Sequence, residues 1–243
     1  MERFEDRDLT GAVFRESVLD RVRMIGVVMR DAVIEGEVVN LVINGVEVGE
    51  YVETELDRRH PERPLLRSHD PAELQEGWRL VQADWAATIE RVRAMPEGAE
   101  RIRVKDEWSV IETLRHLVFA TDAWFRRGVL GVEAPYTSLS IAGPWLEEGE
   151  LPAVDAALET TCDPSFDEVL VVRSERVAEL EQYLVTVDEA TLAGPAPALA
   201  TDGWPRPEER TVVEALHVVL DEEWWHHSFC VRDLDAIEAG AAS

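Results

Sequence analysis

The chain has 243 residues, of which 46% are hydrophobic and 7% aromatic, and its formal net charge is −26 from 50 acidic and 24 basic residues. This length and hydrophobic content predict one large domain or a domain with a small appendage, and they exclude wholesale disorder. Because so acidic a surface repels phosphate backbones and anionic lipid, we expect neither nucleic-acid nor membrane partners. The charged start and the lack of an apolar run of about 18 to 20 residues predict a cytoplasmic protein.

The first forty residues repeat with a period of five. Every fifth residue from Leu9 to Val39 is apolar, and the residue two positions earlier is small or apolar in the middle repeats. Neither a helix nor a flat strand keeps this period, whereas a square coil with one side per repeat does. The segment resembles a pentapeptide-repeat β-helix of less than two coils. We therefore predict that residues 1–55 form a small β-coil cap docked on a larger domain.

Two short stretches follow this repeat. Residues 40–52 carry an Asn44-Gly45 turn signal and are interpreted as a short extended exit from the coil. Residues 56–69 contain two prolines, each preceded by a polar residue, and are interpreted as a linker. His60 and His69 lie in or beside this linker and are predicted to be exposed.

Four capping boxes then predict four amphipathic helices within residues 70–240, each about 20 residues long. The boxes begin at Asp70, Ser109, Ser165 and Thr211, and each has a Glu three residues later. Four such helices bury their apolar faces as a four-helix bundle, so the fold class is mainly α. The connections at residues 129–163 and 188–210 are long and rich in Pro and Gly, and are interpreted either as covers of a pocket or as insertions.

The predicted second and fourth helices carry metal-ligating side chains. The fourth contains two carboxylate–imidazole pairs with i,i+4 spacing, Glu222 with His226 and Glu223 with His227. This spacing places both members of a pair one turn apart on one face, the separation that a single ion bridges. His116 on the second helix would complete a set of two imidazoles and one carboxylate with open coordination positions. Periodicity leaves both pairs as candidates.

The sequence around His116 resembles a family motif. Residues 108–117 read Trp-Ser-Val-Ile-Glu-Thr-Leu-Arg-His-Leu, similar to the Trp-Ser-x-x-Glu-x-x-x-His-Leu motif of the DinB/YfiT-like metal-binding four-helix bundles, which have up-down topology. The Glu-His form of the fourth-helix pair resembles the mycothiol-dependent maleylpyruvate isomerase branch. With its pentapeptide segment, the chain is similar to a group of actinobacterial proteins. The family's Glu-Glu-Trp-x-His-Arg register implies His116, Glu222 and His226 as the ligands, and His227 replaces the family's Arg.

The resemblance implies a divalent metal, zinc first with nickel or iron as alternatives, that activates a low-molecular-weight thiol such as mycothiol, or water. The function that follows is a metal-dependent, thiol-dependent S-transferase or isomerase acting on a small molecule. A metal-dependent hydrolase and a non-catalytic metal-binding stress or interaction protein are the alternatives. The oligomeric state is expected to be monomer or dimer. Catalytic residues beyond the ligands are not predicted.

Several further side chains are expected near the site. His217, His227, Trp108 and Trp225 are predicted to lie in the pocket or around the ligands. Tryptophans near one end of the bundle are interpreted as packing residues or as an aromatic pocket wall: Trp108, Trp124, Trp145, Trp204, Trp224 and Trp225. Cys162 and Cys230 make no disulfide framework and are interpreted as buried or half-buried thiols, not nucleophiles.

Overall fold

The computed structural model describes residues 3–15, 17–36, 38–143, 146, 162–201 and 203–240. The chain divides into two compact units, Met1–Gly49 and Glu50–Ser243. No helix among these described residues is long and apolar enough to span a membrane.

The N-terminal unit repeats a tight turn every five residues. Positive φ angles recur at Asp6, Gly11, Arg21, Gly26, Asp31 and Gly36. Across two of these turns, the amides of Ala12 and Val22 donate to the carbonyls of Leu9 and Leu19 over 3.0 and 3.3 Å. A four-residue turn with positive φ at its third residue has the type II pattern. The period of five in the sequence is therefore also a period of the backbone.

The side chains of this unit follow the same period. The predicted interior positions are about half exposed, from 47% at Leu19 to 69% at Val39, whereas the intervening Val18 and Val33 are 87% and 80% exposed. The repeat therefore produces two rows of side chains, one about half exposed and the other facing solvent. The sheet in the described part of this unit has two strands only, so a closed β-coil is not seen and stays a prediction.

The predicted extended exit is a β-hairpin. Strands β1 (Val42–Ile43) and β2 (Val46–Glu47) pair antiparallel, with Ile43 opposite Val46. Asn44 and Gly45 form the two-residue turn with φ angles of 50° and 85°. Positive φ at both central residues is typical of the type I′ turn, which matches the twist of paired strands.

Residues 56–69 are predicted from the sequence to form a linker, but most of this segment is helical. Helix α1 spans Gly49–Arg59 and α2 spans Glu62–Leu66, where Leu66 is fully buried. Pro61 and Pro64 fit there because Pro61 precedes α2 and Pro64 lies in its first turn, where no intrahelical amide donor is needed. His60, predicted to be exposed, is half-buried with its ring 5.1 Å from that of Trp224. These prolines therefore belong to the start of a helix and not to a flexible connection.

Four helices of the second unit begin at the four predicted caps, so the mainly α fold is confirmed. They are α3 (Pro71–Ala94), α4 (Val110–Ala120), α5 (Phe166–Thr186) and α7 (Val212–Glu238), with the short α6 (Glu189–Ala193) between the last two. Three caps are reciprocal boxes, whereas Asp70 accepts from the first amides of α3 without a returning contact from Glu73. Helices α3 and α4 each pack against α5 and α7.

Helix α4 continues into a π-helical segment, Thr121–Arg127, that the sequence did not predict. The amides of Gly128 and Leu130 donate to carbonyls five residues earlier, those of Ala123 and Phe125, each over 3.0 Å. The wider turn shifts the side chains that follow it relative to those of α4. Arg127, the last residue of this segment, is completely buried at the point where the first long connection begins. Segments of this kind are frequent near functional sites.

Candidate metal centre

His116, Glu222 and His226 converge between α4 and α7. Each offers one ligand atom, and these atoms all lie within 4.8 Å of one another. The Glu222 Oε2 atom is 3.0 Å from Nε2 of His226, one turn further along α7, and 3.3 Å from Nε2 of His116 on α4. Packing of α4 against α7 therefore brings the third side chain to the i,i+4 pair.

The group is closed on one side and open on the other. The His116 side chain is 1% exposed, whereas those of Glu222 and His226 are 24% and 18% exposed. Burial by itself raises the pKa of the Glu222 carboxyl. Its contacts with His116 and His226 outweigh that effect and hold the pKa well below its ordinary value. Glu222 is therefore in the ionised form that a metal ligand requires.

A backbone carbonyl fixes the orientation of His116. Its Nδ1 atom lies 3.1 Å from the carbonyl oxygen of Ile141. Because a carbonyl only accepts hydrogen bonds, Nδ1 carries the proton and Nε2 faces Glu222 and His226. Arg115 anchors the same loop, since its Nε donates to the Leu139 carbonyl over 2.8 Å. The described part of the first long connection thus holds this candidate ligand in place, as partners of metal-bound imidazoles commonly do.

Aromatic rings surround the ligand set. The Trp108 ring lies 4.7 Å from that of His116 and stacks on that of His226 at 6.0 Å. Phe119 is 6.1 Å from His116, and Phe229 is 5.9 Å from His226. The polar ligand atoms therefore sit inside a largely apolar frame, which lowers the local dielectric.

The alternative pair, Glu223 and His227, makes other contacts. Glu223 is fully buried and accepts from both terminal nitrogens of Arg173, over 2.7 and 2.6 Å. His227 Nε2 lies 2.9 Å from the Thr88 hydroxyl, and its ring meets that of Trp85 edge-on at 5.0 Å. Within the described part of the chain, the one group of three residues with metal-ligand geometry is the set with His116.

The other residues expected near the site separate into two groups. Trp108 contacts two ligand rings, and Trp225 stacks at 6.0 Å on Phe229, which itself adjoins His226. His217 instead lies 2.8 Å from the Ser68 carbonyl and meets the His69 ring edge-on, at the connection between α2 and α3. His217 and His227 therefore contact other parts of the fold.

The remaining tryptophans pack elsewhere in the second unit. Trp124 and Trp204 meet edge-on with ring centroids 6.3 Å apart. The Arg63 guanidinium lies over the Trp224 ring, 4.7 Å from its centroid. Trp145 lies outside the described residues. Of the described tryptophans named from the sequence, Trp108 is the one whose ring contacts ligand rings.

A buried arginine that was not predicted from the sequence forms hydrogen bonds with both long connections. Arg127 donates to the carbonyl of Glu133 in the first connection and to that of Thr201 in the second. Gly203 makes this possible, since a Cβ atom there would lie 2.7 Å from the Arg127 guanidinium carbon. An Arg in an amphipathic helix gives no signal that distinguishes it from a surface residue. The one available hint was a glycine within a long connection.

The two cysteines are free thiols. Cys162 is half-buried, and Cys230 is buried at 3% exposure. Burial raises the pKa of Cys230 to about 12, which removes its nucleophilic thiolate form at neutral pH. These environments agree with the predicted thiols and support no cysteine nucleophile.

The family model described as "DinB superfamily" matches residues 80–230, more than half of the chain. The matched region contains all three converging side chains. No curated protein and no solved structure was found to match the chain.

Proposed function

Because the chain belongs to the DinB superfamily, we propose that it is a metal-dependent enzyme whose ion is held by His116, Glu222 and His226. The observation that carries the proposal is the convergence of three ligand atoms within 4.8 Å from two helices. Three protein ligands of this kind are typical of catalytic zinc sites, whereas structural sites use four.

The donor set fits a divalent transition ion. Two imidazoles and one carboxylate suit zinc, and they also suit nickel and Fe(II), with coordination positions left open. The partial exposure of Glu222 and His226 gives a small molecule access to those positions. A bound ion would lower the pKa of a thiol or water towards neutrality.

The chain's own residues prepare this centre. The Ile141 carbonyl holds His116 with Nε2 towards the site. Trp108 packs against the rings of both His116 and His226. The buried pair of Arg173 and Glu223 fixes the rotation of α7 about its axis, so that Glu222 faces α4.

The finer proposal is a thiol-dependent S-transferase or isomerase that uses mycothiol or a similar low-molecular-weight thiol. It is supported by the Glu-His form of the α7 pair, which resembles the mycothiol-dependent maleylpyruvate isomerase branch. Measuring turnover of maleylpyruvate and of a bimane electrophile by the metal-loaded protein, with and without mycothiol, tests it. We expect turnover that requires both thiol and metal. Turnover of an ester or amide that ignores thiol would instead support the hydrolase alternative.

A non-catalytic interaction protein is the second candidate, and the N-terminal unit favours it. Its repeat leaves a row of apolar side chains about half exposed. Deleting residues 1–49 separates the two functions. We expect the remaining chain to keep its metal and its thiol-dependent turnover if the second unit is the enzyme. Loss of a bound macromolecule, with no turnover in either form, would favour the interaction protein. A cytoplasmic location and a monomeric or dimeric state are part of the same proposal.

A further inference from the structure

Helix α1 (Gly49–Arg59) lies against the rest of the second unit largely through charged side chains. All 11 of its residues are described, and none of them is buried. Near its start, Tyr51 and Val52 are 73% and 47% exposed, and Leu56 is half-buried. We propose that α1 is a releasable helix, which ion pairs hold against α2 at low ionic strength and which unfolds, while the bundle stays folded, when salt screens those pairs. The proposal does not depend on the metal.

Four ion pairs join α1 to α2 and the residue that follows it. Glu53 and Asp57 are four residues apart on α1 and therefore lie on the same face. The Arg63 guanidinium donates to both carboxylates, over 3.0 Å to Glu53 and 2.8 Å to Asp57. The Arg67 guanidinium also donates to both, over 3.4 Å and 2.5 Å. Each carboxylate thus contacts both arginines, so the four side chains form one network.

A helix as short as α1 depends on such contacts. Isolated helices of fewer than about 12 to 15 residues are only marginally stable in water. Within α1, Glu55 pairs with Arg58 and with Arg59, but pairs of this kind add little to the stability of a helix. Since α1 buries no apolar side chain, loss of the network with α2 should unfold it.

The arginine half of the network is anchored in the bundle. The Arg63 side chain is 7% exposed, and its guanidinium lies 4.7 and 5.5 Å from the ring centroids of Trp224 and Trp225 on α7. The carboxylate half is more accessible, since the side chains of Glu53 and Asp57 are 50% and 30% exposed. Salt ions therefore reach the carboxylates, and α1 is the part that leaves when the pairs are screened.

Release of α1 would lengthen the segment that joins the two units. Helix α1 directly follows the unit Met1–Gly49 in the chain. As a helix, its 11 residues span about 17 Å, whereas the same residues fully extended span at most about 36 to 40 Å. The docked and released states of α1 thus give the N-terminal unit a short and a long tether.

Hydrogen–deuterium exchange of the full-length protein at one pH, in about 0.01 M and about 1 M NaCl, tests the proposal, because the Debye length falls from about 30 Å to about 3 Å between them. We expect the amides of residues 53–59 to exchange at least about tenfold faster at the higher concentration, since four partly exposed pairs are screened together. The amides of α3 should keep their protection, because that helix packs into the core through Trp78 and Trp85.

A double variant removes the network without salt. Glu53→Gln combined with Asp57→Asn removes both carboxylate charges with little change in size, and residues 53–59 should then exchange at the faster rate in low salt. Glu76→Gln is the matched control, since it removes an exposed carboxylate that pairs with Arg79 on α3. In this control, α1 should respond to salt as it does in the unaltered protein.

Arg67→Gln tests the network from the other side, and the Arg67 side chain is 35% exposed, so this variant should fold normally. It leaves Arg63 paired and should speed exchange of residues 53–59 in low salt by a smaller factor than the double variant. The proposal is overturned if these residues exchange equally fast at both salt concentrations, or if the double variant and Arg67→Gln both exchange like the control. Equal loss of protection in α1 and α3 at high salt also overturns it, because the second unit would then unfold as a whole.

Discussion

Glu222 and Glu223 are consecutive residues of α7, but the carboxylate of Glu222 contacts two imidazoles whereas that of Glu223 contacts a guanidinium. Glu222 lies within 3.3 Å of two imidazole nitrogens, and Glu223 accepts two hydrogen bonds from the Arg173 guanidinium. Neighbouring residues of a helix point about 100° apart, so only one of the two can face α4. The buried ion pair therefore sets which carboxylate reaches the candidate metal centre.

Removing one partner of the buried pair should destabilise the fold. Arg173→Ala leaves the fully buried Glu223 carboxylate unpaired, and we expect a loss of about 3 to 5 kcal/mol in the free energy of unfolding. Urea denaturation followed by circular dichroism measures it. As a control, Arg79→Ala removes an exposed pair with Glu76 and should cost no more than about 1 kcal/mol. If both variants lose equally little free energy of unfolding, the Arg173–Glu223 pair does not stabilise the fold.

Acid should release the contact between the two long connections. The Thr201 hydroxyl and the amides of Ala200 and Thr201 donate to Glu133, and these bonds lower its pKa from 4.5 to about 2. Because the folded-state pKa is depressed, the stabilising contribution is present above pH 4.5 and is lost as the pH falls towards 2. Amide hydrogen exchange at Ala200 and Thr201 should lose protection over this range.

Glu133→Gln is the control for this pH dependence. Without a carboxyl group to titrate, protection at Ala200 and Thr201 should not change with pH above the global acid transition. Protection in the unaltered protein that stays constant down to pH 2 would contradict the assigned role of Glu133.

The two thiols should differ sharply in reactivity. Cys230 is buried with its pKa raised to about 12, whereas Cys162 is half-buried. Iodoacetamide at pH 8 should therefore label Cys162 in the folded protein and leave Cys230 unlabelled until urea is added. Mass spectrometry of tryptic peptides identifies the labelled residue, and Cys162→Ser should abolish labelling under native conditions. Equal labelling rates at both positions would mean that Cys230 is not buried in solution.

Local sequence features predicted the helix starts well, because a cap depends on residues three positions apart. Asp70, Ser109, Ser165 and Thr211 all cap the helices that they were expected to cap. The same local reasoning failed at α2, where Pro61 and Pro64 suggested a linker but burial of Leu66 stabilises a short helix. Tertiary packing decided that segment, and propensity alone does not report packing.

Only part of the candidate site could be predicted from the sequence. The i,i+4 spacing identified both carboxylate–imidazole pairs, but both faces of α7 mix apolar and polar residues, so periodicity did not separate them. The partners that separate them, Arg173 and His116, come from other helices. The Ile141 carbonyl that orients His116 belongs to the backbone and carries no side-chain signal.

The central claim is that His116, Glu222 and His226 hold a divalent metal, and elemental analysis of matched histidine variants tests it most directly. His226→Ala and His227→Ala change adjacent residues of the same helix, so nonspecific effects on folding are comparable, and His116→Ala tests the ligand on α4. After equal zinc loading and dialysis, we predict that His116→Ala and His226→Ala retain little metal while His227→Ala keeps the stoichiometry of the unaltered protein. Full metal retention by both His116→Ala and His226→Ala would contradict the assignment.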